Sequence, residues 1–146
     1  DQNLDSHDRF FALAKLEFGR GKFRDETERK ILESMMSKDP HVQKLIHQLF
    51  EPKDYFTLRD RMIGSGAIGG KACGMLLARK IAEVCLPEFR EHTEPHDSFY
   101  IGSDVFYTYI VSNKCWKTRI EQRTEEGYFS KADELKQALL SGKYKA

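Results

Sequence analysis

Apolar side chains recur at helical spacing through the first 50 residues. Between residues 8 and 18, one broad side of a predicted helix carries Phe10, Phe11, Leu13, Ala14 and Phe18. Gly19 and Gly21 are expected to end this helix. A second helix is predicted to begin with Asp25 as its cap and Glu28 three residues later. Its buried stripe is expected to be Ile31, Leu32, Met35 and Met36.

The third predicted helix has the clearest boundaries. Asp39 is a good cap, and Pro40 suits the first helical position because its missing N–H is not needed there. The apolar residues that follow keep the i, i+3, i+4, i+7, i+8 pattern: Val42, Leu45, Ile46, Leu49 and Phe50. Pro52 is expected to end the helix. We therefore predict a region of three helices over residues 1–53, with a structural role.

Beyond residue 54 the pattern alternates between helix and strand. Residues 55–63 fit either a short helix or an extended segment. After the glycines, a helix ending before Pro87 is predicted to bury Ala72, Leu76, Leu77, Ile81 and Val84, while Arg79, Lys80 and Glu83 face water. Residues 98–101 predict a strand. Ser103 is expected to cap the next helix, whose buried face is Val105, Phe106, Tyr109 and Ile110.

The last third of the chain is rich in charge. Residues 114–128 predict a surface segment anchored by Trp116 and Ile120. A final helix is predicted from Ser130, as its cap, to Gly142, with Leu135, Ala138, Leu139 and Leu140 on its apolar side. The succession of elements predicts a predominantly helical α/β fold. Residues 54–146 would form a subdomain with few short strands, separate from residues 1–53.

The densest cluster of glycines marks the candidate site. Five of the ten glycines lie close together: Gly64, Gly66, Gly69, Gly70 and Gly74. Glycines let a backbone approach an anion closely, and the first turn of a helix adds unpaired N–H donors. Lys71 places a positive charge beside them. The segment therefore predicts a phosphate-binding turn.

Composition limits the classes of partner. The chain has 24 Lys and Arg against 23 Asp and Glu, a net charge of +1, so no overall basic field favours nucleic acid. No apolar run is long enough for a membrane helix, and the first residues lack a signal-peptide core. We expect a cytoplasmic protein with reduced cysteines, since Cys73, Cys85 and Cys115 are odd in number and widely spaced. The start at Asp1 favours a segment excised from a longer protein.

Two nucleotide-binding patterns fit the glycine segment incompletely. Residues 64–69 match G-x-G-x-x-G, but charged residues stand where a Rossmann fold needs an apolar strand, and Glu83 would lie inside a helix. The Walker pattern fails because Ser65 replaces its first glycine and Ala72 its hydroxyl residue. The alternative without a ligand is a tight structural turn with a surface lysine.

Other chemical groups give weaker hypotheses. His92 and His96 are four residues apart near acidic residues, but solvated loop histidines are favoured over a metal site. Cys73 is interpreted as a packing residue, with a nucleophile of lowered pKa near the helix start as the alternative. We therefore assign no catalytic or metal-binding residue.

One segment resembles a known family. The residues are Ile68-Gly69-Gly70-Lys71-Ala72 with the helix after them, followed by residues 98–109, which read SFYIGSDVFYTY. They resemble the start of the nucleotide-binding domain of pyruvate phosphate dikinase and phosphoenolpyruvate synthase, which has an ATP-grasp fold. The likeness covers residues 61 to about 113. Cys73-Gly74-Met75 departs from the family pattern, and residues 1–60 match no part of it that we can identify.

The resemblance implies part of an ATP site. Gly69, Gly70 and Lys71 would contact the ATP phosphates, with Mg-ATP as ligand of the complete parent enzyme. That enzyme would transfer phosphoryl groups to a histidine and then to pyruvate. No histidine here lies in the family's phosphohistidine motif, and the remaining ATP and magnesium ligands are expected beyond Ala146. The parent's other domains would be partners, and the isolated chain would be inactive. The alternative is a non-catalytic helical interaction or regulatory module that keeps the loop as structure.

Overall fold

Helices dominate residues 5–94 and 97–144, which the computed structural model of the protein describes. The α-helices are α1 (Ser6–Gly19), α2 (Asp25–Ile31), α3 (Pro40–Leu49), α4 (Pro52–Asp60), α5 (Gly70–Cys85), α6 (Ser103–Ser112), α7 (Trp116–Glu121), α8 (Glu125–Ser130) and α9 (Ala132–Ser141). Strands β1 (Met62–Ile63) and β2 (Tyr100–Ile101) pair in parallel. A π-helical segment, Leu32–Met36, continues α2, and a 3₁₀ turn, Pro87–Glu91, follows α5. The predominantly helical α/β class is confirmed.

The chain packs as two compact units, Asp1–Ser103 and Asp104–Ala146. In the first unit α1 contacts α4 and α3 contacts α5, so its N-terminal helices pack directly against later elements. The sequence predicted a different division, into a helical region at residues 1–53 and a partial ATP-grasp-like subdomain at residues 54–146. It stays a prediction, because packing alone does not test it. No helix in the described part of the chain is both long and apolar enough to span a membrane.

The N-terminal helices agree well with the sequence pattern. Asp39 caps α3 as predicted, because its Oδ1 accepts from the N–H groups of His41 and Val42 at 2.8 and 3.1 Å. Asp25 does not cap α2. Arg24 holds the cap position without a side-chain bond, and Asp25 is the first helical residue. Glu28 is unable to close a capping box because its carboxylate turns inward to hydrogen bonds with other helices.

The main core lies between the first four helices. The predicted stripe of α2 and its π-helical continuation is fully buried: Ile31, Leu32, Met35 and Met36. It packs with Ile46, Tyr55, Phe56 and Leu58 in one apolar cluster. Leu13 and Leu45 were predicted to be buried, and both are exposed. Helical spacing defines a broad face, but only neighbouring helices determine which part of that face is covered.

The sequence pattern left open whether residues 55–63 form a short helix or an extended segment, and the structure shows both. Pro52 is the first residue of α4, so it starts a new helix directly after α3 ends. The Glu51 and Asp54 side chains complete a capping box there. The helix continues to Asp60, and the chain then extends into β1. Both interpretations of residues 55–63 were therefore partly right.

The face of α5 that packs inward differs from the predicted face. Ala72, Leu76 and Leu77 pack against the core as expected, but Ile81 and Val84 are exposed. The three charged residues expected in water, Arg79, Lys80 and Glu83, are mostly covered instead. Their ion pairs make this possible: Lys80 Nζ lies 2.7 Å from Asp54 Oδ2, and Arg79 Nε lies 3.0 Å from Glu83 Oε1.

The two strands align their carboxyl ends at one edge. Met62 pairs with Tyr100 and Ile63 with Ile101. The N–H of Tyr100 donates to the carbonyl of Arg61 at 2.9 Å, and the N–H of Gly102 donates to that of Ile63 at 2.8 Å. Because side chains alternate along a strand, Met62 and Tyr100 face the core, whereas Ile63 and Ile101 are exposed. The strand predicted at 98–101 is confirmed for its last two residues.

The second unit has its own small core of Ile110, Cys115 and Leu135. Trp116 and Ile120 do not anchor it, since both are more than 40% exposed. Cys115 is buried in their place, and the segment folds into α7 and α8. Among the other residues predicted to be buried, Phe106 and Leu140 are exposed. Ser130 ends α8, so Lys131 occupies the cap position of α9.

Candidate functional site

The glycine segment connects β1 to α5 at the carboxyl edge of the small sheet. β2 leads at the same edge into the start of α6 at Ser103. Ligands of open α/β sheets bind beyond the carboxyl ends of parallel strands, where helix N-termini gather. The predicted phosphate-binding turn therefore occupies the edge at which such sites form.

Ser103 and Met35 hold the middle of the glycine segment. The N–H of Ala67 donates to Ser103 Oγ at 3.1 Å, and the N–H of Ser103 donates to the carbonyl of Ala67 at 2.9 Å. The N–H of Ile68 donates to the carbonyl of Met35 at 2.8 Å, and the Ile68 side chain is buried. Ser103 was predicted as a helix cap, but it is the first helical residue of α6. Local spacing does not reveal its contact with Ala67, because the two residues are 36 positions apart.

Arg59 holds the beginning of the segment. Its Nη1 donates to the carbonyl of Gly64 at 2.9 Å, and its Nη2 donates to Asp8 Oδ1 at 2.6 Å. The guanidinium also lies 5.6 Å from the ring centroid of Phe11. Gly64 has φ +85, a left-handed conformation that favours glycine. The segment is thus anchored at its start and middle before it reaches α5.

Gly69, Gly70 and Lys71 form the open end of the segment, and all three are exposed. Gly69 is the cap residue of α5 with φ −69, and it offers no side-chain bond. The N–H groups of a first helical turn, including those of α5, have no partner within their own helix. A Cβ added at Gly69 or Gly70 would meet no atom within 4 Å. Neither the backbone conformation nor packing within the described residues therefore requires glycine at these two positions.

Cys73 lies one turn into α5 and is a packing residue. Its side chain is 4% exposed and belongs to the main core. Burial raises the pKa of its thiol, because the apolar surroundings disfavour the thiolate. This is opposite to the lowered pKa that the nucleophile interpretation required. Both the burial and the raised pKa support the packing interpretation of Cys73.

The remaining sequence candidates form no second centre. His92 is exposed, and His96 lies outside the described residues. Within residues 5–94 and 97–144, no three His, Cys, Asp or Glu side chains group closely enough to hold a metal ion. Glu83 lies inside α5 and pairs with Arg79, so it is not at a strand end as a Rossmann site requires.

A mixed-charge groove of about 190 Å³ lies near the amino ends of the strands, where Arg61 and Tyr100 line it. Its cations are already paired. Arg61 Nη1 lies 2.7 Å from Asp97 Oδ1, and Lys80 pairs with Asp54. Tyr100 at its base is buried, and desolvation raises the pKa of its hydroxyl. Gly69, Gly70 and Lys71 do not line this groove.

Comparison with protein-family models, with curated proteins and with solved structures finds no match for this chain.

Proposed function

We propose that this chain is part of the nucleotide-binding domain of an ATP-dependent phosphotransferase of the phosphoenolpyruvate synthase or pyruvate phosphate dikinase type. In this proposal Gly69, Gly70 and Lys71 hold part of the ATP phosphates, and the domain is of the ATP-grasp kind. The remaining domains of the parent protein, in the cytoplasm, complete the reaction.

The observation that carries the proposal is the open N-terminus of α5. Two exposed glycines start a helix of 16 residues, and neither is required by conformation or by packing. An approaching anion would gain from such glycines, because their N–H groups stay accessible and the helix dipole adds positive potential. Lys71 follows them directly and is exposed. The hydrogen bonds that hold Ala67, Ile68 and Gly64 support the proposal further. A turn that is already held in place loses little conformational entropy when a ligand binds.

The chain's own contribution to catalysis would be limited to binding and orientation. Phosphoryl transfer depends mainly on positioning and on neutralising charge, which one glycine turn and one lysine provide only in part. Magnesium bound with ATP would supply the positive charge that neutralises the transferring phosphates. We propose that its protein ligands lie outside the phosphate-binding turn, which contains no carboxylate.

A titration of residues 1–146 with Mg-ATP tests the proposal. The amide NMR signals of Gly69, Gly70 and Lys71 are expected to move at millimolar ligand. Lys71→Ala should weaken binding by roughly ten-fold, because a hydrogen bond to a charged group contributes on the order of 1.5–3 kcal/mol. Lys53→Ala is the matched control, since Lys53 is another exposed helical lysine. If the three amides stay in place, or both variants bind equally, the proposal fails.

A second candidate function is supported by exposed apolar surface. The outer side of the sheet carries Ile63, Phe99 and Ile101, each more than half exposed. Parallel sheets normally have both faces covered. A non-catalytic interaction module, with the glycine segment kept as structure, would use this surface. Binding of a protein partner that is weakened by Ile101→Lys but not by Lys71→Ala, together with no response to Mg-ATP, would favour this second function.

A further inference from the structure

A buried carboxylate links three helices of the N-terminal region. Glu28 on α2 is 9% exposed. Its Oε1 accepts from the hydroxyl of Tyr55 on α4 at 2.6 Å, and its Oε2 lies 2.8 Å from Nδ1 of His47 on α3. The three residues are 8 to 27 positions apart, so no sequence motif connects them.

This geometry determines how the imidazole of His47 is presented. A carboxylate accepts hydrogen bonds and donates none, so Nδ1 of His47 must carry a hydrogen. Tyr55 is fully buried and fixes the other oxygen of the carboxylate. Nε2 is then the ring nitrogen that remains for a ligand, and the His47 side chain is 59% exposed. Functional histidines typically have a hydrogen-bond partner on one ring nitrogen that orients the imidazole in this way.

His47 borders a groove between α2 and α3 that also contains fixed charges. Arg29 and Lys44 line it as cations, and Asp25 and Glu28 line it as carboxylates. The fixed charges balance while the imidazole is neutral. When His47 is protonated, the groove has a net positive charge and Nε2–H becomes a donor that points away from Glu28.

We propose that this groove binds a tetrahedral oxyanion, of the phosphate or phosphate-monoester class, when His47 is protonated. Arg29 and Lys44 supply the permanent charge, and Nε2–H of His47 supplies the proton-dependent hydrogen bond. Glu28 and Tyr55 are positioning residues that act through His47. The site is separate from the glycine turn and does not depend on ATP binding there.

The experiment uses residues 1–146 with two probes, inorganic sulfate and inorganic phosphate, at constant ionic strength. Sulfate keeps its charge across the range, so its pH dependence reports on the protein. The imidazole NMR signals of His47 are expected to shift with sulfate near pH 6, and the affinity should fall by roughly five-fold or more near pH 8.5 as the charged donor is lost. Phosphate should shift the same signals.

Three variants distinguish an anion site from simple packing. His47→Gln should remove the pH dependence, whereas His41→Gln, an exposed histidine on the same helix, should leave it unchanged. Asp25→Asn removes a repelling carboxylate and should tighten sulfate binding. The proposal is overturned if the ring of His47 does not respond to either probe, if His41 responds equally, or if Asp25→Asn fails to tighten binding. In those cases the Tyr55, Glu28 and His47 contacts only hold the helices together.

Discussion

Gly70→Ala separates the stability of the fold from binding at the proposed site. Gly70 is the first residue of α5, and among the described residues an added Cβ would meet no atom within 4 Å outside its own helical turn. Its backbone is helical, so alanine needs no change of conformation. The same methyl group would stand where a phosphate must approach the first-turn N–H groups. We therefore expect the substitution to stabilise the protein and weaken ATP binding.

The size of both effects follows from this geometry. Alanine is better than glycine in a helix interior by about 1 kcal/mol, and it also restricts the unfolded chain. At the first helical position we expect a gain of roughly 0.5 kcal/mol in the free energy of unfolding, or about 1–2 °C in Tm. Loss of a charge-assisted hydrogen bond to phosphate should weaken binding by roughly ten-fold.

Urea unfolding and calorimetric titration with Mg-ATP measure the two effects on the same sample. Gly64→Ala is the matched control, because Gly64 has φ +85 and lies away from the helix end. It should lower stability by about 1–2 kcal/mol, the cost of a left-handed conformation for a residue with a Cβ. If Gly70→Ala binds Mg-ATP as tightly as the original protein, phosphate does not approach the backbone at α5. If it unfolds more easily, our description of the open helix end is wrong.

Three further predictions concern the cores and the thiols. Ile46→Ala should lower the free energy of unfolding in urea by about 2–5 kcal/mol, because Ile46 is fully buried. Leu45→Ala, at the adjacent and exposed residue, should lower it by under about 1 kcal/mol. Equal losses would contradict the assigned face of α3. Gly127→Ala should destabilise the second unit by about 1–3 kcal/mol, because the new Cβ would collide with a backbone carbonyl in the preceding helix; hydrogen exchange in α8 and α9 that stays unchanged would refute this. Cys85 is exposed and should react with iodoacetamide much faster than Cys73, whose burial raises its thiol pKa; equal labelling by mass spectrometry would show that the start of α5 opens readily.

The positions of the helices and the fold class were predictable because they depend on the local pattern of residues along the chain. The cap at Asp39, the proline after it and the apolar spacing of α3 act within one or two turns. The structure agrees with the cap, with the proline and with the burial of Ile46, although Leu45 on the same predicted face is exposed. The stripe from Ile31 to Met36 was also correct. Local hydrogen bonds and helical periodicity suffice for such features, whatever the rest of the chain does.

The covered faces were less predictable because they depend on neighbours. Ile81 and Lys80 are adjacent on α5, yet the isoleucine is exposed and the lysine is mostly covered. The lysine pairs with Asp54 and lies 5.8 Å from the ring centroid of Phe50. Polarity alone predicts the opposite arrangement. An ion pair and an aromatic neighbour from other helices offset the cost of covering the charge.

For the candidate site, the sequence alone identified the glycine turn, its helix and the charge of Lys71, because glycine content and helical spacing are properties of one short segment. Only the tertiary structure brought Ser103 to Ala67, Arg59 to Asp8 and the ends of both strands to one edge. It also joined Glu28, His47 and Tyr55. The physical reason is the same in each case: hydrogen bonds between distant residues depend on how whole helices pack, and that packing leaves no periodic signal in the chain.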